Sequence, residues 1–184
     1  RSRSKPSKPP PTTGRALPST SSPEYKATLL QTHLARASWG HGHADKHLAT
    51  VLAMSPLSVL DYGCGKGGLV EALRGRGVTA DGYDPGVSEW SVKPMGWYDV
   101  VTAFDVLEHV EEGYVPAVIH DIAAFGRRAR AVIDLAEAVA FLTDGRNAHL
   151  TIRPAAWWID QISDQTGRRV MIRSQTSRKL DVEF

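Results

Sequence analysis

Cysteine is nearly missing. A chain of 184 residues holds one, Cys64, and a lone thiol excludes a disulfide framework. Long apolar runs are missing as well: none approaches the ~20 residues that a membrane-spanning helix needs, so no membrane association is expected. No signal peptide is visible. These absences together point to a cytoplasmic protein. Acids are missing from residues 1–23, "RSRSKPSKPPPTTGRALPSTSSP", which carry five Lys/Arg and six prolines. Such a segment cannot bury enough apolar surface to fold alone. It reads either as a flexible linker or as a basic arm that touches nucleic acid or a protein partner. The remainder holds all 20 acids against 17 bases, a net charge of −3, although the whole chain carries +2. The positive excess therefore belongs to the tail and not to a basic binding face.

What is present suits one folded domain. The length allows a real core, and 42% hydrophobic with 23% charged residues is ordinary for a globular chain. Beyond the tail, "SPEYKATLLQTHLARA" has helical spacing, with Ser22 as N-cap and Pro23 at the first position. "ADKHLATVLAM" resumes that spacing before Pro56. Then "LSVLDYG" reads as a strand, "GGLVEALRGRG" as a helix, "VTADGYDP" as a strand, and "YDVVTAFDVLEHV" as a buried strand entering a helix. "PAVIHDIAAFGRR" reads as a helix, "ARAVIDLA" as a strand, and "PAAWWIDQISDQTG" as a helix begun by Pro154. "RRVMIRS" and "RKLDVEF" close the chain, separated by too few residues for a helical crossover, so they are antiparallel neighbours. Strands alternating with helices indicate an α/β fold, a doubly wound, Rossmann-like, mostly parallel sheet that ends in an antiparallel hairpin. The division expected is a basic tail over 1–23, a helical lid over 24–55 and the sheet domain over 56–184.

The stretch "VLDYGCGKGGLVEAL" brings a glycine-rich turn to the carboxyl edge of the first strand, where ligands of such sheets bind. Its glycines let backbone approach a ligand closely. Gly63, Gly65 and Gly68 satisfy the spacing of a dinucleotide turn, whereas a Walker loop is ruled out because Lys66 is followed by glycine. Asp61, two residues before the first glycine, would repel a pyrophosphate and attract an ammonium group. This also disfavours a nicotinamide oxidoreductase. Asp84 ends the second strand, where an acid accepts hydrogen bonds from ribose hydroxyls. The expected ligand therefore pairs a cationic amine with a ribose.

"LDYGCGKG" resembles motif I of the class I S-adenosylmethionine-dependent methyltransferases. "GYDP" resembles their ribose-binding strand end, and "YDVVTAFDVLEHV" their fourth strand and the loop after it. The resemblance covers residues 45–184. It implies S-adenosylmethionine as cofactor, lined by Asp61, Gly63, Cys64, Gly65 and Gly67 at the first turn and by Asp84 and Pro85 at the second. Phe104, Asp105 and Val106 would lie beside its methionine end. Only "PGVSEWSVKPMGW" stands where the family places a further helix and strand, so the sheet should be reduced at its third-strand edge. The adenine would then rest on Trp90, Val92 or Met95, unless those residues patch the sheet edge instead.

The resemblance implies a methyltransferase. The motifs that amino-group and cytosine-C5 DNA methyltransferases need are absent. The expected acceptor is an oxygen, or a nitrogen, of a small molecule, a nucleotide or an RNA ribose. A non-catalytic methyltransferase-like module anchored by its basic tail is the alternative. "DVLEHV" resembles the acid-x-x-Glu-His run of metal-dependent ribose O-methyltransferases of small RNAs and of ubiquinone-pathway O-methyltransferases. It implies a magnesium or manganese site at Asp105, Glu108, His109 and His149, or, without metal, His109 as general base with Glu108 capping the turn. Glu108, His109 and His149 are thus the candidate catalytic residues. "HLARASWGHGHADKH" is expected to form a lid, with Trp39 as its flat surface, Gly40 and Gly42 as its hinge, and histidines at 33, 41, 43 and 47. The long segment "AFLTDGRNAHLTIRPAAWW" is expected to recognise the acceptor through Arg146, Asn147 and His149. Of its adjacent Trp157 and Trp158, at most one faces the core.

Overall fold

The computed structural model describes residues 19–36, 39 and 44–184. The basic tail up to residue 18, the hinge glycines 40 and 42, and His41 and His43 lie outside the described residues. The first elements among the described residues are helix α1 (Pro23–Ala35) and helix α2 (Ala44–Ala53). Strand β1 (Ser58–Tyr62), helix α3 (Gly68–Arg74), strand β2 (Thr79–Tyr83) and strand β3 (Tyr98–Phe104) follow. The rest comprises helix α4 (Val115–Phe125), strand β4 (Gly126–Asp134), helix α5 (Ala155–Thr166) and the hairpin of strands β5 (Met171–Gln175) and β6 (Lys179–Glu183). No helix among the described residues is long and apolar enough to cross a membrane.

The six strands form one sheet in the order β2-β1-β3-β4-β6-β5. The first four are parallel, while β6 runs antiparallel to both β4 and β5. The doubly wound sheet with a closing hairpin is therefore observed. So is the reduction at its edge: a single 3₁₀ turn, Ser88–Trp90, stands between β2 and β3, and β2 is left as the edge strand. Alternation along the strands divides the core in two. Leu60, Val101, Ala131, Ile133 and Val182 pack against α4 and α5, whose Ile119, Ile122, Trp158 and Ile162 are buried. Val59 and Val100 face the other way, toward Val51 of α2 and Leu69, Val70 and Leu73 of α3. Of the paired tryptophans, Trp158 is fully buried and Trp157 is only packed beside the core.

Two boundaries differ from the sequence reading. The helix expected through Arg128 stops at Phe125, and Gly126–Arg128 already belong to β4. A Cβ at Gly126 would stand 2.6 Å from Val101 and 2.9 Å from the Tyr98 carbonyl. Only glycine lets the chain turn from α4 into pairing with β3. The segment after β3 also does not enter an α-helix directly. Leu107–His109 form a 3₁₀ turn, and α4 begins only at Val115.

Ser22 caps α1 as expected, accepting the Tyr25 N–H at 3.0 Å, with Pro23 in the first turn. A pair of long-range contacts fixes that cap. The Ser22 N–H and Oγ–H each donate to one carboxylate oxygen of Glu111 at 2.9 Å. Tyr25 packs with Leu142 and Ala148 in a small third cluster. In this way α1 lies over the carboxyl edge of the sheet.

Candidate active site

A cavity of about 340 Å³ opens at the carboxyl ends of β1, β2 and β3. Its walls include Asp61, Gly63, Cys64, Gly65, Asp84, Pro85, Phe104, Asp105 and Val106, and α1 roofs it with Tyr25, Leu29 and His33. Gly63 has φ +78°, and a Cβ there would stand 2.4 Å from Val106. The turn therefore requires glycine, and its backbone faces the cavity bare. Asp84 organises this turn: Oδ2 accepts the Gly65 N–H and Oδ1 the Gly86 N–H, each at 2.9 Å. His33 Nε2 stands 4.0 Å from Oδ1, and burial lowers the His33 pKa against the pull of Asp84. Asp61 is buried and accepts the Thr102 hydroxyl at 2.7 Å. Burial pushes its pKa up to about 7, while the Thr102 bond acts against that rise and the charge of Asp84 adds to it.

Two expectations about this cavity need correction. Gly67 is not part of its wall. In its left-handed conformation it leads into α3, and a Cβ there would meet the Trp90 ring at 2.7 Å. Trp90, Val92 and Met95 do not line the cavity either. Trp90 covers Gly67 and Gly82 at the sheet edge, and Val92 and Met95 stand in solvent. Of the expected lid, Trp39, His33 and His47 do reach the cavity.

A second cavity lies beside the first, walled by Glu108, Asp134, Val139, His149 and Lys179 among others. Trp39, Asp105 and His109 belong to both walls. The ligand atoms of Glu108, His109 and His149 lie within 4.8 Å of one another. Asp105 is not in that group, contrary to the four-residue set expected. Its Oδ1 accepts the Lys179 ammonium at 2.6 Å, and Lys46 stands 3.8 Å from Oδ2. The lysines hold its pKa below the ordinary range despite burial.

Each histidine has its Nδ1 against a backbone carbonyl: His109 against Ala148 at 2.8 Å, His149 against Ala136 at 2.5 Å. A carbonyl only accepts, so Nδ1 carries a hydrogen on both rings. Burial lowers the His109 pKa, so its ring is neutral near pH 7. Glu108 is fully buried. One oxygen accepts the Asp134 N–H at 2.9 Å, and the other has no hydrogen-bond partner among the described residues. Its pKa is pushed up to about 7, chiefly by burial.

The polar residues of the loop expected to recognise the acceptor make contacts within the protein. Arg146 binds Asp144, stands 3.8 Å from Glu111 and stacks over Tyr25. Asn147 exchanges hydrogen bonds with the Ala138 backbone and accepts the His149 N–H at 2.9 Å. Arg146 thus holds α1, and Asn147 holds His149.

A family profile described as a methyltransferase domain matches residues 29–164. The chain belongs to the class I S-adenosylmethionine-dependent methyltransferases. It is 28% identical over 128 residues to a ubiquinone biosynthesis O-methyltransferase of Psychrobacter arcticus, covering 52% of this chain and 49% of that one. The chain thus spans about half the length of that curated relative. Among solved structures, magnesium protoporphyrin IX methyltransferase of Synechocystis PCC 6803 with bound S-adenosylmethionine shares 20% identity at a TM-score of 0.59. That match covers 86% of this chain and 93% of the other. A Burkholderia thailandensis 1,6-didemethyltoxoflavin-N1-methyltransferase with its acceptor and S-adenosylhomocysteine bound has a TM-score of 0.59 at 16% identity. Those coverages are 87% and 88%. At these identities the two structures speak for the fold.

This methyltransferase domain carries a cavity suited to the cofactor of its class. The absent Cβ at Gly63 lets the Val106 side chain pack directly on the turn beside the cavity, and the two buried carboxylates suit an amine and a ribose. Sequence reasoning missed Glu111, Thr102 and Lys179. Lys179 had a legible signal: an antiparallel final strand begins at the edge where parallel strands end, so its first residue belongs to the site.

Proposed function

We propose that this chain transfers the methyl group of S-adenosylmethionine to an oxygen of a small-molecule acceptor held in the second cavity. Asp61 would face the cofactor's ammonium group and Asp84 its ribose, with Gly63, Cys64, Gly65, Pro85, Phe104 and Val106 around them. The observation that carries this reading is His109, which belongs to both cavity walls with Nδ1–H fixed on Ala148 and a neutral ring. Its Nε2 is the proton acceptor at the junction, so His109 takes the hydroxyl proton as the acceptor oxygen attacks. Asn147, through the His149 N–H, and the Ala136 carbonyl hold the neighbouring imidazole edge-on at 4.9 Å. The name of the Psychrobacter relative supports oxygen as the accepting atom. Retention of both acids and the glycine turn favours an enzyme over a non-catalytic module.

The test is calorimetry with S-adenosylmethionine, followed by methyl transfer to a panel of phenols, nitrogen heterocycles and ribonucleosides. His109→Asn is expected to lower turnover by about 10²–10⁴-fold, the usual contribution of a general base, with cofactor affinity retained. Wild-type protein that binds no cofactor at millimolar concentration would sink the methyltransferase reading. Transfer to the heterocycles or ribose alone would move the acceptor to nitrogen or nucleic acid.

A second reading is favoured by the unpartnered Glu108 oxygen. With His109 and His149 it offers one carboxylate and two imidazoles, a set that suits manganese, iron or magnesium with open positions. A divalent cation held there would lower the pKa of an acceptor hydroxyl. The carbonyls of Ala148 and Ala136 would serve as its orienting partners. Loss of activity in chelator, restored by manganese or magnesium, is the expected result. Full activity in chelator with no metal by elemental analysis leaves His109 as the base alone.

A further inference from the structure

The two cavities meet where they share walls, at Trp39, Asp105 and His109. A methyl group passing from one to the other passes there, and so the cofactor's sulfur must stand there too. That sulfur is positively charged before transfer and neutral after it. Asp105 is the carboxylate of this shared wall. Left alone, it would grip the charged cofactor more strongly than the neutral product and so oppose discharge of the sulfonium, since binding that favours the ground state does not speed the chemical step.

Asp105 is not left alone. Strand β6 runs antiparallel to β4, and its first residue, Lys179, emerges at the edge where β3 and β4 end. From there the ammonium spans to Asp105 Oδ1 at 2.6 Å and to Asp134 Oδ2 at 3.4 Å. Lys46 of α2 approaches the other oxygen of Asp105 at 3.8 Å. The Asp105 backbone sits at φ +53°, unusual for a residue with a side chain, with its N–H held by the Val132 carbonyl at 2.8 Å. The backbone N–H and one carboxylate oxygen are thus held toward β4 and β6.

We propose that Lys179 is a positioning residue that draws the Asp105 carboxylate and its charge away from the transfer junction. It thereby sets the relative affinity for S-adenosylmethionine and S-adenosylhomocysteine. The proposal rests on the cofactor reading above.

Its test is titration calorimetry of both compounds on the full chain and on Lys179→Met, Lys179→Arg and Asp105→Asn. Losing one unit charge a few ångströms away should move the ratio of the two dissociation constants about three- to tenfold. In Lys179→Met the shift is toward S-adenosylmethionine, and in Asp105→Asn toward S-adenosylhomocysteine. Lys179→Arg keeps the charge and restores the wild-type ratio, which a merely structural role would not require. Binding of both compounds by Lys179→Met at the wild-type ratio, or a shift toward the product, overturns the proposal. If Lys179→Met does not fold by circular dichroism, an unchanged ratio in Asp105→Asn overturns it instead. Wild-type protein that binds neither compound removes the cofactor reading and this proposal together, whereas binding with an insensitive ratio removes this proposal alone.

Discussion

At the scale of the residue, Asp61 shows how a motif acid differs from an ordinary one. A solvated aspartate titrates near pH 4, and burial beside Asp84 raises Asp61 to about 7. Between those values the folded protein holds a proton that the unfolded chain has released. Stability then falls as pH rises, because the native state binds more protons than the unfolded state. For this group the decline runs from about pH 4 to about pH 7 and levels off above it. An ammonium placed against Asp61 favours its ionised form and expels that proton. Cofactor binding near pH 6 is therefore expected to release up to one proton, seen as a dependence of calorimetric heat on the ionisation enthalpy of the buffer. Asp61→Asn should bind without that release. Equal heats in all buffers for the wild type would place the cofactor's amine elsewhere.

At the scale of the element, α1 was readable at its start and not in its attachments. Ser22 followed by Pro23 announces a cap, and the cap is there. What holds the helix over the site is Glu111, 89 residues away in sequence, and no local pattern signals a contact of that range. Arg146 illustrates a contact that the loop position does not announce. A charged residue in a long loop suggested a hand reaching for the acceptor, and at the surface it is partnered by Glu111, Asp144 and the Tyr25 ring. Arg146→Ala is consequently expected to loosen α1 and weaken cofactor affinity by about 1 kcal/mol, the usual scale of one hydrogen bond or exposed ion pair. The Michaelis constant for the acceptor should be nearly unchanged. A variant with normal cofactor affinity and a raised acceptor constant would return Arg146 to the acceptor. The glycine turn and the strand-end acids were legible because their chemistry is local. The place of Lys179 at the site edge was legible from the antiparallel final strand, whereas its partner there, Asp105 just beyond β3, was not, because β4 lies between β3 and β6.

At the scale of the whole molecule, the alternation of strands and helices was enough to read the sheet and its closing hairpin. The short connection before Tyr98 was enough to read its reduced edge. The fate of the three apolar residues in that connection was not readable, because covering an adenine and covering a sheet edge call for the same side chains. Packing decides between them. The Trp90 ring lies against Gly67 and Gly82, the Arg74 guanidinium stands over the ring, and neither Val92 nor Met95 is covered. The absent edge strand leaves β2 open, and an open edge is normally covered or charged. Here Arg74 binds the Ala80 carbonyl at 2.8 Å and Tyr98 binds Asp81 at 2.8 Å, so the tryptophan works within a small covering layer. Removing a half-buried indole costs less than the ~3–5 kcal/mol seen for one fully enclosed. Trp90→Ala is therefore expected to lose about 2 kcal/mol in denaturant unfolding. Because Trp90 does not line the cavity proposed for the cofactor, affinity for S-adenosylhomocysteine should stay within about threefold, less than the tenfold that 1.4 kcal/mol represents. The opposite pattern, intact stability with affinity lost, would show that the adenine lies on Trp90 and that the sheet edge needs no cover.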